Sequence, residues 1–146
     1  MNLTVDSRPA DEELLADALA LAADALDVAV VMASHIEGDD YTVVGVHDTV
    51  DSGVEVGAAF DTSDTFCHCV YDDEGLEVID AVAVDDRVAG LPAHEGMGLE
   101  AYIGVPLYSD GEFYGTLAVC DTEPRTFDEA DRRNARTLGR LVETAL

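Results

Sequence analysis

The stretch Leu99–Asp121, LEAYIGVPLYSDGEFYGTLAVCD, decides the fold. Leu99 to Tyr108 reads as a strand with a mainly apolar face. Asp110-Gly111 is the strongest short hairpin signal in the chain, and Phe113 to Asp121 returns as the partner strand. Gly111 suits the positive φ of a tight turn. Pro106 removes a ladder donor, so it belongs at an edge or bulge of its strand. Gly104 and Gly115 leave room for close backbone approach across the sheet.

Downstream of this hairpin, Pro124 stops the sheet and Thr126-x-x-Glu129 has the pattern of a capping box. A final helix follows, with Ala130, Leu138, Leu141, Val142 and Ala145 as its apolar stripe. Upstream, Pro9 suits a first helical position and Asp11, Glu12 and Glu13 complement the helix dipole. Leu15, Ala18, Leu19, Ala22 and Leu26 then recur three and four apart, predicting an amphipathic helix over about residues 10–27. Val28–Ile36 and Tyr41–Val46 form a second hairpin around Gly38-Asp39-Asp40. Between the hairpins lies a segment rich in Asp, Ser, Thr and Gly. It holds a short strand near Val54–Val56, a short helix at Phe66–Tyr71 and a strand-like run at Leu76–Asp80. A connector, Asp85–Gly98, carries about one helical turn.

Strands bracketed by helices give an α+β class with a central antiparallel sheet of about five to six strands. The N- and C-terminal helices are expected on one face, with loops and short helices over the other. The expected organisation is a tail at 1–9 and a single domain at 10–146.

Charge sets what such a domain can meet. Thirty-two acidic residues stand against seven basic ones, all Arg, for a formal net charge of −25. Such a surface repels itself in dilute buffer, and molar salt, with a Debye length of about 3 Å, removes most of that penalty. The composition is read as adaptation to a salt-rich, halophilic cytoplasm. It excludes a cationic footprint for nucleic acid and an electrostatic attraction to anionic membrane. The longest apolar runs are too short to span a bilayer, and residues 1–6 lack a signal-peptide pattern. With an odd number of cysteines and no secretory signal, the expected compartment is reducing.

Ala101-Tyr102-Ile103-Gly104-Val105-Pro106-Leu107, Asp110-Gly111, Gly115-Thr116-Leu117, Asp121 and Pro124-Arg125 together resemble the end of a GAF domain. Phe66-Cys67, Val78-Ile79-Asp80 and Asp85-Asp86-Arg87 resemble the same family's middle section. The resemblance covers about residues 10–146. It implies a GAF/PAS-like sensory domain, not an enzyme, that takes an unidentified small molecule between the sheet and the middle loops. By resemblance the residues around that ligand are Phe60, Thr62, Phe66, Cys67, His68, Tyr71, Asp80, Arg87, Tyr102 and Tyr114. The aromatic rings would supply apolar walls, while His68, Asp80 and Arg87 would orient a polar ligand. Homodimerisation through the terminal helices is implied too, with output passed to a separate signalling protein.

The other chemistry in the chain weighs less. Cys67-His68-Cys69 lacks the usual zinc spacing, and on a helix the two thiols would point about 200° apart. Bilin-binding relatives place a Cys-His pair shortly before the strand matching Leu99–Leu107, where this chain has His94 and no Cys. Cyclic-nucleotide-binding relatives carry an Asn-Lys pair and a Phe-x-x-x-Asp-Glu, of which only Phe127 and Asp131 are present. Relatives that reduce free methionine sulfoxide spread their cysteines along the middle segment, whereas here Cys67 and Cys69 sit together and Cys120 lies far off. Such a reductase stays as the enzymatic alternative, and a ligand-free dimerisation module as the other. Asp85-Asp86 reads as solvated surface, and no strand–turn–helix elbow surrounds Ser63 to make it a nucleophile. No cofactor and no metal ligand set is assigned.

Overall fold

Asp110 and Gly111 take φ of +52° and +80°, closing Ser109 against Glu112. Positive φ at both central positions matches the right-handed twist of the two strands they join. Gly38, with φ +58°, opens the equivalent two-residue loop between Glu37 and Asp40. These hairpins organise the computed structural model, which describes residues 10–50, 53–73 and 75–146, and of residues 71–73 and 93 the backbone alone.

In chain order the elements are α1 (Glu12–Leu26), β1 (Val30–Glu37), β2 (Asp40–Asp48), β3 (Ala59–Asp61), α2 (Cys67–Asp73), β4 (Glu77–Ile79), α3 (Pro92–Glu95), β5 (Ala101–Ser109), β6 (Glu112–Asp121) and α4 (Glu129–Glu143). Short 3₁₀ turns follow β3 at Thr62–Asp64 and β4 at Val82–Val84. The six strands form one sheet in the order β3-β2-β1-β6-β5-β4, every neighbouring pair antiparallel. The α+β architecture expected from the sequence is therefore the one observed.

Both faces of the sheet are covered. On one, Leu15, Leu19 and Leu26 of α1 and Leu138 and Val142 of α4 pack onto Val31, Ala33, Ile103, Val105, Leu117 and Val119. On the other, Phe66, Cys67 and Val70 of the middle segment pack onto Val30, Met32, Tyr102, Ala118 and Cys120. Alternate residues of each central strand thus feed two cores, which is why those strands read as nearly unbroken apolar runs. Each fully buried Leu contributes about 1.5–3 kcal/mol by leaving water. A bulge on β2 between the pairs Ala33↔Gly45 and Ser34↔Val43 turns Val44 toward the helical face. Gly45 follows it, and a side chain there would crowd Leu15 and Leu19.

Several local expectations shift. The first helix begins at Glu12, with Asp11 accepting the Leu14 N–H at 2.9 Å, and Pro9 lies outside the described residues. The last helix is capped by Asp128 and Asp131, not Thr126 and Glu129, and Ala130 is exposed. Thr126 and Phe127 stay out of the helix because Phe127 is drawn into the core. The strand expected at Val54–Val56 instead forms at Ala59–Asp61. There Thr62 ties the chain to the β1–β2 turn through its N–H to the Asp39 carbonyl and its hydroxyl to the Gly38 carbonyl. Pro106 pairs with Thr116 beyond the end of β4 and beside a bulge at Leu107/Tyr108, as its missing donor requires.

No described helix is long and apolar enough to cross a membrane. Among the described residues, Glu77, Asp85, Glu100 and Asp121 pair with basic groups, while the whole chain carries 32 acids against seven Arg. Stability is therefore expected to rise from dilute buffer to molar potassium chloride, as screening relieves self-repulsion. Thermal unfolding followed by circular dichroism tests this; a midpoint that does not move with salt would contradict it.

Candidate functional site

Between the sheet and the middle segment lies a cavity of about 510 Å³. Its floor is built by Met32, Tyr41, Tyr102, Ala118 and Cys120, one or two from each of the four central strands. One wall is the β3 region and the start of α2, with Phe60, Asp61, Asp64, Phe66 and Cys67. The other is α3 with the loop leading from it to β5, and it supplies Pro92, Gly96, Met97 and Leu99. That second wall is held by His94. Its Nδ1 accepts the Gly90 N–H at 3.1 Å, which leaves Nε2–H to donate to the Glu100 carboxylate, also at 3.1 Å.

A polar chain runs under the cavity at Cys67. The Ser34 and Thr116 hydroxyls meet at 2.9 Å, and Thr116 donates to the Cys67 sulfur at 3.0 Å. Tyr102 donates to the same sulfur at 3.4 Å, and the thiol in turn reaches the Tyr41 oxygen at 3.7 Å. Every buried side-chain nitrogen and oxygen among the described residues has a partner. The chain therefore fixes the rotamers of Tyr41 and Tyr102 without leaving an unmade hydrogen bond.

Of the residues that the sequence pointed to, Phe60, Phe66, Cys67 and Tyr102 line the cavity. Thr62 is buried beside it in the tie to the β1–β2 turn. His68 points elsewhere, with Nε2 at 2.9 Å from the Arg87 carbonyl, joining α2 to the following loop. Arg87 is bound to Asp85 and Glu77 at 3.0 and 3.1 Å, and the hydrogen bond to Asp85 holds that carboxyl below the usual range. Asp80 accepts the Phe127 N–H at 3.1 Å, a role in the fold. Tyr114 lies on the opposite, helical face, its ring 4.7 Å from that of His35. The side chain of Tyr71, in α2, lies outside the described residues.

Met32, Tyr41, Asp64, Met97 and Cys120 were missed. Period-2 alternation carried the signal for the strand residues. Once Tyr102 is placed facing the middle segment, its cross-strand partner Cys120 must face the same way. Nothing local pointed to Met97, which reaches the cavity only through the fold of its loop.

Gly104 has a different role from the one expected. The space its Cβ would fill is held by the Tyr102 hydroxyl and a methyl of Val70, so it makes room for a ring and not for a neighbouring backbone. Gly104→Ala is expected to push Tyr102 into the cavity, cost about 1–3 kcal/mol and shrink the space. Denaturant unfolding and a crystal structure of the variant check both parts.

The buried phenols make a pH prediction. Burial, and then the nearby Cys67, raise Tyr41 and Tyr102 well above the usual value, and burial pushes Tyr114 up to about 12. An acid with a raised folded-state pKa stabilises fully below its unfolded value of about 10, and that contribution is lost as pH rises toward the folded value. Ionisation of these three phenols is therefore expected to appear together with loss of circular dichroism, starting between pH 10 and 12. Ionisation of all three phenols with the fold intact would contradict the burial.

The GAF domain profile matches residues 12–146. The chain belongs to the GAF domain family. No curated protein sequence matches it. Among solved structures, this GAF domain is similar to the GAF domain of a phosphoenolpyruvate-protein phosphotransferase from Acinetobacter, with TM-score 0.75 and 21% identity over 92% of this chain and 80% of that one. It is similar also to free methionine-R-sulfoxide reductase from Neisseria meningitidis, solved with its substrate (TM-score 0.70, 17% identity, 92% and 78% covered). A third is the blue-light absorbing form of the Thermosynechococcus elongatus PixJ GAF domain (TM-score 0.71, 14% identity, 91% and 84% covered). At these identities the likeness is one of fold.

Proposed function

We propose that this GAF domain is a sensor that binds one small molecule in the cavity over Tyr41 and Tyr102. It relays occupancy to α1 and α4 across the sheet. The carrying observation is the cavity itself: about 510 Å³, with mainly apolar walls above a fixed set of hydroxyl and thiol groups. That volume and that mix of surfaces are the usual ones of small-molecule sites. Membership of a family with sensory members supports the reading.

The ligand seals the cavity by ordering the loops that carry Phe60 and Met97. Because β1, β5 and β6 have one face in each core, a shift at Tyr102 is felt by the residues that α1 and α4 pack on. The terminal helices pair two copies, and a separate output protein reads the pair. The compartment is a salt-rich cytoplasm. One domain over residues 10–146 carries all of this.

The test is to purify the protein in molar salt, denature it and identify released small molecules by mass spectrometry. A stoichiometric compound supports a sensor. An empty protein that also shows no unfolding shift with any of a metabolite panel points instead to a ligand-free dimerisation module.

A thiol-dependent reductase is the second reading, favoured by Cys67 and Cys120 both lining the cavity. Burial raises the Cys120 thiol well above its usual value, which opposes a redox role for it. Turnover of free methionine sulfoxide with a dithiol decides this reading.

A further inference from the structure

We propose that the cavity is built for an organic cation, a quaternary or protonated amine on an apolar body. This inference rests on the sensor reading and adds the chemical class of the ligand. Its basis is the distribution of charge and of aromatic surface around one space.

Four aromatic rings line the cavity, Tyr41 and Tyr102 from the floor and Phe60 and Phe66 from the wall. They meet in two edge-on pairs, Tyr41–Phe60 with centroids 6.0 Å apart and Phe66–Tyr102 at 5.5 Å. All four rings border the cavity, and an edge-on pair consumes a face of only one of its two rings. Aromatic faces attract cations through the ring quadrupole, most strongly where water is excluded.

Among the described residues, the charged ones on the lining are Asp61 and Asp64, both acidic and both exposed on the β3 side. Hydrogen bonds from the Ser63 hydroxyl and N–H hold the Asp61 carboxyl below its usual range, so it stays ionised. No Arg or His among the described residues is part of the lining. Arg87, the guanidinium that sequence resemblance aimed at a ligand, is taken up by Asp85 and Glu77. An anion entering here would meet, among the described residues, two carboxylates and no compensating cation on the lining, in a chain of net charge −25. A cation meets carboxylates at the mouth and ring faces within, while the Tyr and Cys hydroxyl and thiol groups below offer acceptors to an ammonium or hydroxyl group.

The test uses three probes of one shape: benzyldimethyl(hydroxyethyl)ammonium, its isostere with carbon in place of nitrogen, and the carboxylate analogue of that isostere. Titration calorimetry is run in molar potassium chloride, so that the net charge of the protein does not concentrate every cation at its surface. The cation is expected to bind about tenfold more tightly than the carbon isostere, the scale of a desolvated cation–π contact, and the carboxylate not measurably. Phe60→Leu and Asp64→Asn, both at exposed positions, are expected to weaken the cation several-fold and leave the isostere nearly unchanged, with circular dichroism confirming the fold.

Equal or tighter binding of the carbon isostere would overturn the cation assignment and leave the sensor reading standing. Preference for the carboxylate would overturn it as well. If none of the three probes binds, the cation assignment falls, and the sensor reading is then decided separately by mass spectrometry of released small molecules and by the metabolite panel.

Discussion

Gly115→Val is expected to leave the protein unfolded in dilute buffer. Gly115 sits in β6 between His35 of β1 and Leu107 of β5, in the middle of the sheet. The position that a Cβ would take at residue 115 is occupied by the Ser34 carbonyl oxygen, with the Ser34 carbonyl carbon and His35 Cα close behind. These are backbone atoms of the adjacent strand, so no rotamer change relieves the collision. β1 and β6 would have to part, and with them the Ser34–Thr116 hydrogen bond beneath the cavity. Overpacking against yielding side chains costs about 1–3 kcal/mol. A collision with the central ladder belongs above that, at about 4 kcal/mol or more. A domain of this size has about 5–15 kcal/mol in total. Urea unfolding of Gly115→Ala, Gly115→Val and Gly104→Ala in molar salt gives the order. Gly104→Ala, which meets side chains, should be the mildest, and equal losses for Gly104→Ala and Gly115→Ala would refute the steric argument.

Phe127→Ala is expected to cost about 3–5 kcal/mol, the range for a buried Phe reduced to a methyl group. Phe127 is 2% exposed, in the core shared by α1, α4 and the sheet. The link between β6 and α4 is fastened around it. Its N–H goes to Asp80 Oδ1, and the Arg125 guanidinium lies 5.0 Å above its ring while donating to the Asp27 carbonyl at 2.6 Å. Losing the ring should loosen α4 before the sheet, seen as early amide exchange along residues 129–143. Asp80→Ala removes one acceptor and should cost only about 1–2 kcal/mol. It should also leave ligand affinity untouched, because Asp80 braces the fold and does not line the cavity. A fall in affinity without a fall in stability would restore Asp80 to the ligand site.

Glycines and polar residues alike show how unevenly the sequence speaks. Gly115 was singled out as a close-approach position from its place in an apolar strand, and the Ser34 carbonyl is what approaches it. Gly104, read in the same way, accommodates the Tyr102 ring of its own strand, which strand pattern cannot distinguish. Asp80 and Arg87 were legible as special through family resemblance, yet the structure uses them to fasten loops. His68 behaves likewise. A polar residue within a family-like motif carries no mark of whether it faces a cavity or a neighbouring backbone.

The sequence by itself determined the two hairpins, the two amphipathic terminal helices and hence an antiparallel α+β fold. Each of these rests on contacts between residues close in the chain: Asp110-Gly111 in its turn, and the recurring Leu and Ala of α1. It determined the charge of the surface as well, since charge needs only counting. Tertiary structure alone decided the cavity. Tyr41, Phe60, Phe66, Cys67, Met97, Tyr102 and Cys120 come from six separate segments, and they share one space because the sheet aligns its strands side by side and the middle loops fold back over them. Local preference cannot specify a void, which is defined by atoms distant in sequence that stop short of meeting.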